Sequence, residues 1–225
     1  MKLIMENWRG FLHESLSADS AALNQLALIH DKSKDVQTLV LYIPGTQPPK
    51  LVAAIEIART QDQCIPETYQ VEWTFTMEQY RRRGLGEMMY GICFFLVNRL
   101  GIGLTSDQNT STSKAAGRQW ARLVGNKELT PRKTPFGNDT FDYDGNKTPK
   151  DPFDDCGLDG DPPEGDGIDQ SMMMKNYSKY ADMYRRLNRQ HQQFLTVIPV
   201  DKQKQFQSDI VQDAVDEFSY QYDQR

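Results

Sequence analysis

Only three cysteines and three histidines stand among the 225 residues. Cys64, Cys93 and Cys156 are far apart and form no Cys-x-x-Cys pair. That pattern excludes a disulfide framework and fits a reducing compartment. None of His13, His30 and His191 lies at a zinc-ligand spacing from a cysteine, so no metal site is expected. No apolar run is long enough to span a bilayer. The opening Met1–Asn7 lacks the long apolar core of a signal peptide. No internal repeat is present. The net charge of -5 argues against the basic surface that nucleic-acid binding needs. These absences predict a soluble, cytoplasmic chain that contacts neither membranes nor nucleic acid directly.

The charge is unevenly spread. Between Asn138 and Asp169 eleven acids face two lysines, whereas the rest of the chain holds twenty acids and twenty-four bases. The body is therefore mildly basic, and one Asp/Pro/Gly-rich stretch carries the deficit. Three segments are expected: a domain over 1–137, an acidic linker or loop over 138–170, and a helical C-terminal extension over 171–225.

Periodicity gives the order of elements. Leu3, Ile4, Trp8, Phe11, Leu12 and Leu16 share one helical face. Strands are predicted at about 24–30, 38–43 and 50–59. Tyr69, Val71, Trp73, Phe75 and Met77 then alternate with Gln70, Glu72, Thr74 and Thr76, the period-two signature of a strand with two different faces. A long helix is predicted over Glu87–Leu100, a short strand over Gly103–Ser106, and a helix carrying Ala115, Ala116, Trp120, Leu123 and Val124 that stops at Gly125. Met172–Leu195 and Lys202–Tyr222 read as two further helices parted by Pro199. This order predicts an α/β (α+β) architecture, a mixed central sheet flanked by helices.

Arg81-Arg82-Arg83-Gly84-Leu85-Gly86 joins the alternating strand to the long helix. Glycines there let backbone amides approach an anion. The helix N-terminus adds partial positive charge, and three guanidiniums add full charge. Together they suit a pyrophosphate. The Walker Lys-Ser/Thr is missing, and a single Gly-x-Gly is not the dinucleotide fingerprint.

The stretch 68–125 resembles the GNAT family of N-acetyltransferases. Arg81, Gly84 and Gly86 meet that family's Gln/Arg-x-x-Gly-x-Gly/Ala motif, followed by the strand at Gly103–Ser106 and by Asn109, Ala116, Trp120, Leu123 and Gly125 in order. The resemblance implies a GNAT-like sheet and acetyl-CoA as cofactor. It places the pyrophosphate on Arg81, Arg82, Arg83, Gly84, Leu85 and Gly86, with Asn109 nearby, and the pantetheine arm on backbone groups of Phe75, Thr76 and Met77. It further implies direct acetyl transfer to an amine acceptor. Glu72, on the polar strand face, is then the candidate base, with Glu56 on the preceding strand. The family's thiolate-protonating Tyr falls on Trp120, whose indole is no useful acid near neutral pH. Tyr80 is the candidate to replace it.

Two readings stay open. One is an acetyl-CoA-dependent N-acyltransferase. The other is a non-catalytic GNAT-like protein working through protein contacts, as a homo-oligomer or with phage partners bound by the C-terminal helices. The Met-Glu-Asn-Trp-Arg opening is similar to small proteins of tailed bacteriophages, which would place the chain in a virion or host cytoplasm. Asp142, Asp144 and Gly145 stand at calcium-loop offsets, but Thr140 replaces the first carboxylate and Asp151 the bidentate Glu, which favours a solvated linker.

Overall fold

The computed structural model describes residues 23–46, 48–60, 65–106, 114–125, 127–132 and 171–223. The predicted helix at 3–16, Thr140–Tyr143 and the acidic stretch lie outside them. Among the described residues seven strands form one sheet in the order β1-β2-β3-β4-β5-β7-β6. They are β1 (Ala27–Lys32), β2 (Val36–Ile43), β3 (Lys50–Arg59), β4 (Thr68–Thr76), β5 (Gly103–Thr105), β6 (Leu129–Pro131) and β7 (Met172–Met174). Among the described residues four α-helices accompany them: α1 (Leu85–Asn98), α2 (Lys114–Gly125), α3 (Ser178–Leu195) and α4 (Val200–Asp223). The sheet is mixed. β1 runs antiparallel to β2, and β7 antiparallel to both β5 and β6, whereas β4 and β5 are parallel. A parallel pair needs a crossover, and α1 supplies it. Among the described residues no helix is long and apolar enough to cross a membrane.

The helix predicted from Met172 begins six residues late. Met172–Met174 is a strand, paired with Leu129–Pro131 on one side and with Leu104 on the other. Its three methionines carry no period that separates strand from helix, and β6 was too short to show in the sequence. The pairing decides the matter, because it satisfies backbone groups of β6 that a helix would leave open.

The residues fall into two compact units, with the chain passing between them inside β3, β4 and α1. The second unit holds residues 57–72 and 93–176. Phe94 meets Trp120 edge-to-face at 5.9 Å, and Trp120, Leu104, Leu123 and Leu129 are buried around them. The two ends of the acidic segment are clipped together here. The Arg132 amide donates to the Ser171 carbonyl at 2.7 Å, and Arg132 Nε donates to Ser171 Oγ at 3.0 Å. Thr68 Oγ1 donates to the same Ser171 hydroxyl at 2.8 Å.

The first unit holds β1, β2, most of β3, the end of β4, the start of α1, and both C-terminal helices. Ile210 and Ala214 of α4 are buried against Ala27, Ile29, Val40, Tyr42, Ala54 and Phe75. Helix α3 packs along β1 and is fixed by two tyrosine–histidine bonds of opposite sense. Tyr184 Oη lies 2.9 Å from His30 Nδ1, while His30 Nε2 lies 3.0 Å from Gln37 Oε1. Tyr42 Oη lies 2.8 Å from His191 Nδ1, and His191 Nε2 lies 3.2 Å from Gln207 Nε2 on α4. The partners assign the tautomers: His30 carries its proton on Nε2 and His191 on Nδ1. Nothing in the sequence marked a partner for His191.

Burial pushes the His191 pKa down from 6.5 to about 4, and burial is also the largest cause lowering that of His30. The unfolded chain therefore binds the extra proton in the window between about 4 and 6.5, and stability falls as pH drops through it. Thermal melts should show a Tm several degrees lower at pH 4.5 than at pH 7, since roughly 1 kcal/mol moves a chain of this size by about 2–4 °C. His191→Gln should shrink that pH-dependent drop, and an equal drop in wild type and variant would remove His191 as its source.

Candidate functional site

The chain leaves β4 at Thr76, makes one 3-10 turn over Glu78–Tyr80, and enters α1 at Leu85. The sign of φ alternates along this junction. Arg81 has φ -63°, Arg82 +62° and Gly84 +71°. Arg83 between them is not in the left-handed region. Arg81 itself is extended, with ψ 159°, so Arg81 and Arg82 make a tight turn of the type II kind leading into the helix. Gly84 adopts the left-handed region at little cost, whereas Arg82 carries a strain of about 1 kcal/mol or more. The Met88 amide donates to the Gly84 carbonyl at 3.0 Å, so α1 starts there. The amides of Leu85, Gly86 and Glu87 form its first turn and have no intrahelical acceptor.

Gly86 gives the sharpest observation. A Cβ placed on it would meet no heavy atom within 4 Å, and its φ is not left-handed. Neither packing nor backbone shape requires glycine at that position. What its missing side chain leaves is open space beside the first turn of α1. Gly91, one and a half turns further along the same helix, is the opposite case. A Cβ there would stand 2.2 Å from the ring of Tyr180 on α3. Tyr180 Oη donates to Glu87 Oε1 at 3.3 Å, and Lys179 Nζ lies 3.9 Å from the same oxygen. The start of α3 thus seats on the start of α1.

The other predicted site residues fall into distinct places. Phe75 is buried in the core, stacked near Trp73 at 6.2 Å. The Met77 amide is bonded to the Val52 carbonyl at 3.0 Å, and the Thr76 carbonyl accepts from Arg81 Nε at 3.0 Å. Arg81 Nη2 also donates to Gln221 Oε1 on α4 at 3.1 Å. Arg82 is exposed, and the Arg83 guanidinium lies 5.5 Å from the centre of the Tyr80 ring. Thr76, Met77, Tyr80 and the arginines therefore gather at one junction in the first unit. Glu72 belongs to the second unit, half-buried, where its Oε1 accepts from Gln70 Nε2 at 2.8 Å. Glu56 has both oxygens engaged, by Trp73 Nε1 at 2.9 Å and by Thr38 Oγ1 at 2.8 Å. The parallel pairing of β4 with β5 ends at Gln70 and Thr105. Asn109 lies outside the described residues.

Trp120 is 1% exposed and is a core residue. Cys93 is likewise buried, and burial pushes its thiol pKa far up, so it is no nucleophile. Among the described residues no three His, Cys, Asp or Glu side chains gather to hold a metal. Gln221, Phe218, Lys179 and Tyr180 reach the junction from the C-terminal helices. Tyr180 stood out in the sequence only as one apolar position among several, and Gln221 gave no signal at all.

No family model and no curated protein matches the chain. Among solved structures it is similar to a tandem GNAT protein from the clavulanic acid biosynthesis pathway, solved without AcCoA. That likeness has 14% identity and a TM-score of 0.30, and it covers 55% of this chain and 40% of the neighbour. The chain thus spans less than half the length of that neighbour.

The two glycines of α1 separate by experiment. Gly86→Ala should change folding stability by less than about 1 kcal/mol, because the added methyl enters open space. Gly91→Ala should cost about 1–3 kcal/mol, because it drives Tyr180 off the helix. Urea denaturation of both variants checks this, and equal losses would mean that Tyr180 does not seat where described.

Proposed function

We propose that the Arg-Gly turn binds the pyrophosphate of coenzyme A and that the protein transfers an acetyl group from acetyl-CoA to an amine. The observation that carries this reading is Gly86, a glycine required by neither packing nor conformation in the first turn of a helix, with open space where a side chain would stand. The flanking Arg82 and Arg83 support the same ligand. A diphosphate is the anion these donors fit: several N–H groups, with cations to either side. The sequence resemblance of 68–125 supplies coenzyme A as the diphosphate in question.

Bound there, acetyl-CoA supplies an activated thioester. The chain's part is to bind, orient and manage one proton. Amides of Leu85 and Gly86 would hold the pyrophosphate. The edge of β4 beyond Gln70, where its pairing with β5 has ended, would receive the pantetheine arm. The groups available there are not the Met77 amide or the Thr76 carbonyl, which have partners within the chain. Glu72 is the proposed base for the attacking amine; with Gln70 on one oxygen, the other oxygen is the one to take the proton. Glu56 is the poorer candidate, since Trp73 and Thr38 hold both of its oxygens.

A second reading, a non-catalytic assembly protein, is favoured by one observation: the position where the resemblance calls for an acidic Tyr hydroxyl holds a core tryptophan. Calorimetry separates the two. Coenzyme A should bind with a Kd below about 1 mM, and Gly86→Glu should abolish binding while Tm holds, because its carboxylate would stand in the cradle without touching the core. Absence of binding to wild type at millimolar coenzyme A would leave only the assembly reading. Given acetyl transfer, Glu72→Gln should slow turnover about 10²-fold or more with coenzyme A affinity unchanged; an unaltered rate would show the base to lie elsewhere.

A further inference from the structure

Resting on the coenzyme A reading of the turn, we propose that the last turns of α4 hold the turn in its anion-binding shape, with Gln221 as the positioning residue. A single guanidinium makes the link. Arg81 donates through Nε to the Thr76 carbonyl at 3.0 Å and through Nη2 to Gln221 Oε1 at 3.1 Å. The end of β4, the first arginine of the turn and the C-terminal helix are thereby tied at one point. Gln221 is itself oriented. Its Nε2 donates to Glu217 Oε1 at 2.7 Å, one helical turn earlier, and lies 3.9 Å from Met77 Sδ. Three residues before Gln221, Phe218 stacks on Trp73 of β4, with centroids 5.2 Å apart and planes 20° from parallel. Helix α4 is thus registered against β4 by aromatic packing and against the turn by hydrogen bonds.

The consequence for the site is physical. Arg82 sits at φ +62°, a conformation a non-glycine residue holds only when its surroundings over-determine it. Backbone bonds within the junction are short-range: the Tyr80 amide to Met77 and the Arg81 amide to Glu78. The bond from Arg81 to Gln221 is a long-range restraint on the residue directly before Arg82. An anion meeting a turn already held in shape loses less free energy to ordering it. Arg81 then acts inside the protein, and the charge offered to a diphosphate comes from Arg82, Arg83 and the helix amides.

The test uses the full chain with Gln221→Met, which keeps the side chain's bulk but loses the acceptor, and Gln221→Glu, which keeps an acceptor for Arg81. Two quantities are read: amide hydrogen exchange at Met77, Arg81 and Met88, and the Kd for coenzyme A. In Gln221→Met, exchange at these amides should rise about 3–10-fold and the Kd should rise by a similar factor, matching the loss of one hydrogen bond. The Thr60 amide, bonded to Thr68 in the other unit, should exchange as before. Gln221→Glu should restore both readouts only in part, because its carboxylate accepts from Arg81 but cannot donate to Glu217. Unchanged exchange at the junction overturns the proposal, and so does faster exchange with an unchanged Kd. If wild type binds no coenzyme A while exchange still rises in Gln221→Met, the cofactor reading fails and the hold of Gln221 on the turn stands.

Discussion

The junction from Thr76 to Leu85 must keep one shape, and most of the first unit is arranged so that it does. A backbone that alternates the sign of φ is not self-supporting, because it forgoes the repeating bonds of helix or sheet. Its restraints come from three directions. Val52 pins the Met77 amide from β3, Tyr180 and Lys179 seat the first turn of α1, and Gln221 reaches Arg81 from α4. Two of those three come from helices that lie 93 and 140 residues later in the chain. Sequence distance conceals the fact that the C-terminal helices are part of the wall behind the turn.

That concealment explains what could be read and what could not. The β4 alternation, the Arg-Gly turn, α1 and the order of strands after it are local patterns, and periodicity and glycine placement reveal them. Strand β7 was misread because its identity depends on pairing with Leu129–Pro131, which no pattern within three methionines records. Gln221 and Lys179 look like any polar residues on a solvated helix face, so only tertiary placement gives them partners. Gly86 and Gly91 are indistinguishable in sequence. Their surroundings assign one to access and the other to close packing against Tyr180.

The histidines show the same logic at the other end of the unit. Two neutral imidazoles, each taking one tyrosine hydroxyl and one glutamine amide, join α3 to β1, β2 and α4. A hydrophobic contact would hold these elements at any pH and in several registers. Directional bonds between buried polar groups fix one register, and they do so only while the rings stay neutral. Since α3 and α4 also hold the turn, acid that protonates His191 would loosen the elements that keep the site in shape. Docking and site geometry are coupled through the same two helices.

The chemistry proposed for the turn does not depend on a hydroxyl at position 120. A thiol of ordinary acidity ionises near pH 8.5, so a departing thiolate can take its proton from water without a positioned acid. The attacking amine is the harder partner. Near neutral pH an ordinary alkylamine, like the lysine side chain, is almost entirely protonated and non-nucleophilic, so some group must accept its proton. The requirement therefore falls on a carboxylate rather than on a phenol. Of the two strand carboxylates, Glu56 is held by an indole and a hydroxyl that stabilise it where it is, whereas Glu72 keeps an oxygen without a partner among the described residues. On the proposed acetyl transfer, a core tryptophan in place of tyrosine thus removes a convenience, and Glu72 is the proposed base because its second oxygen is left to take the proton.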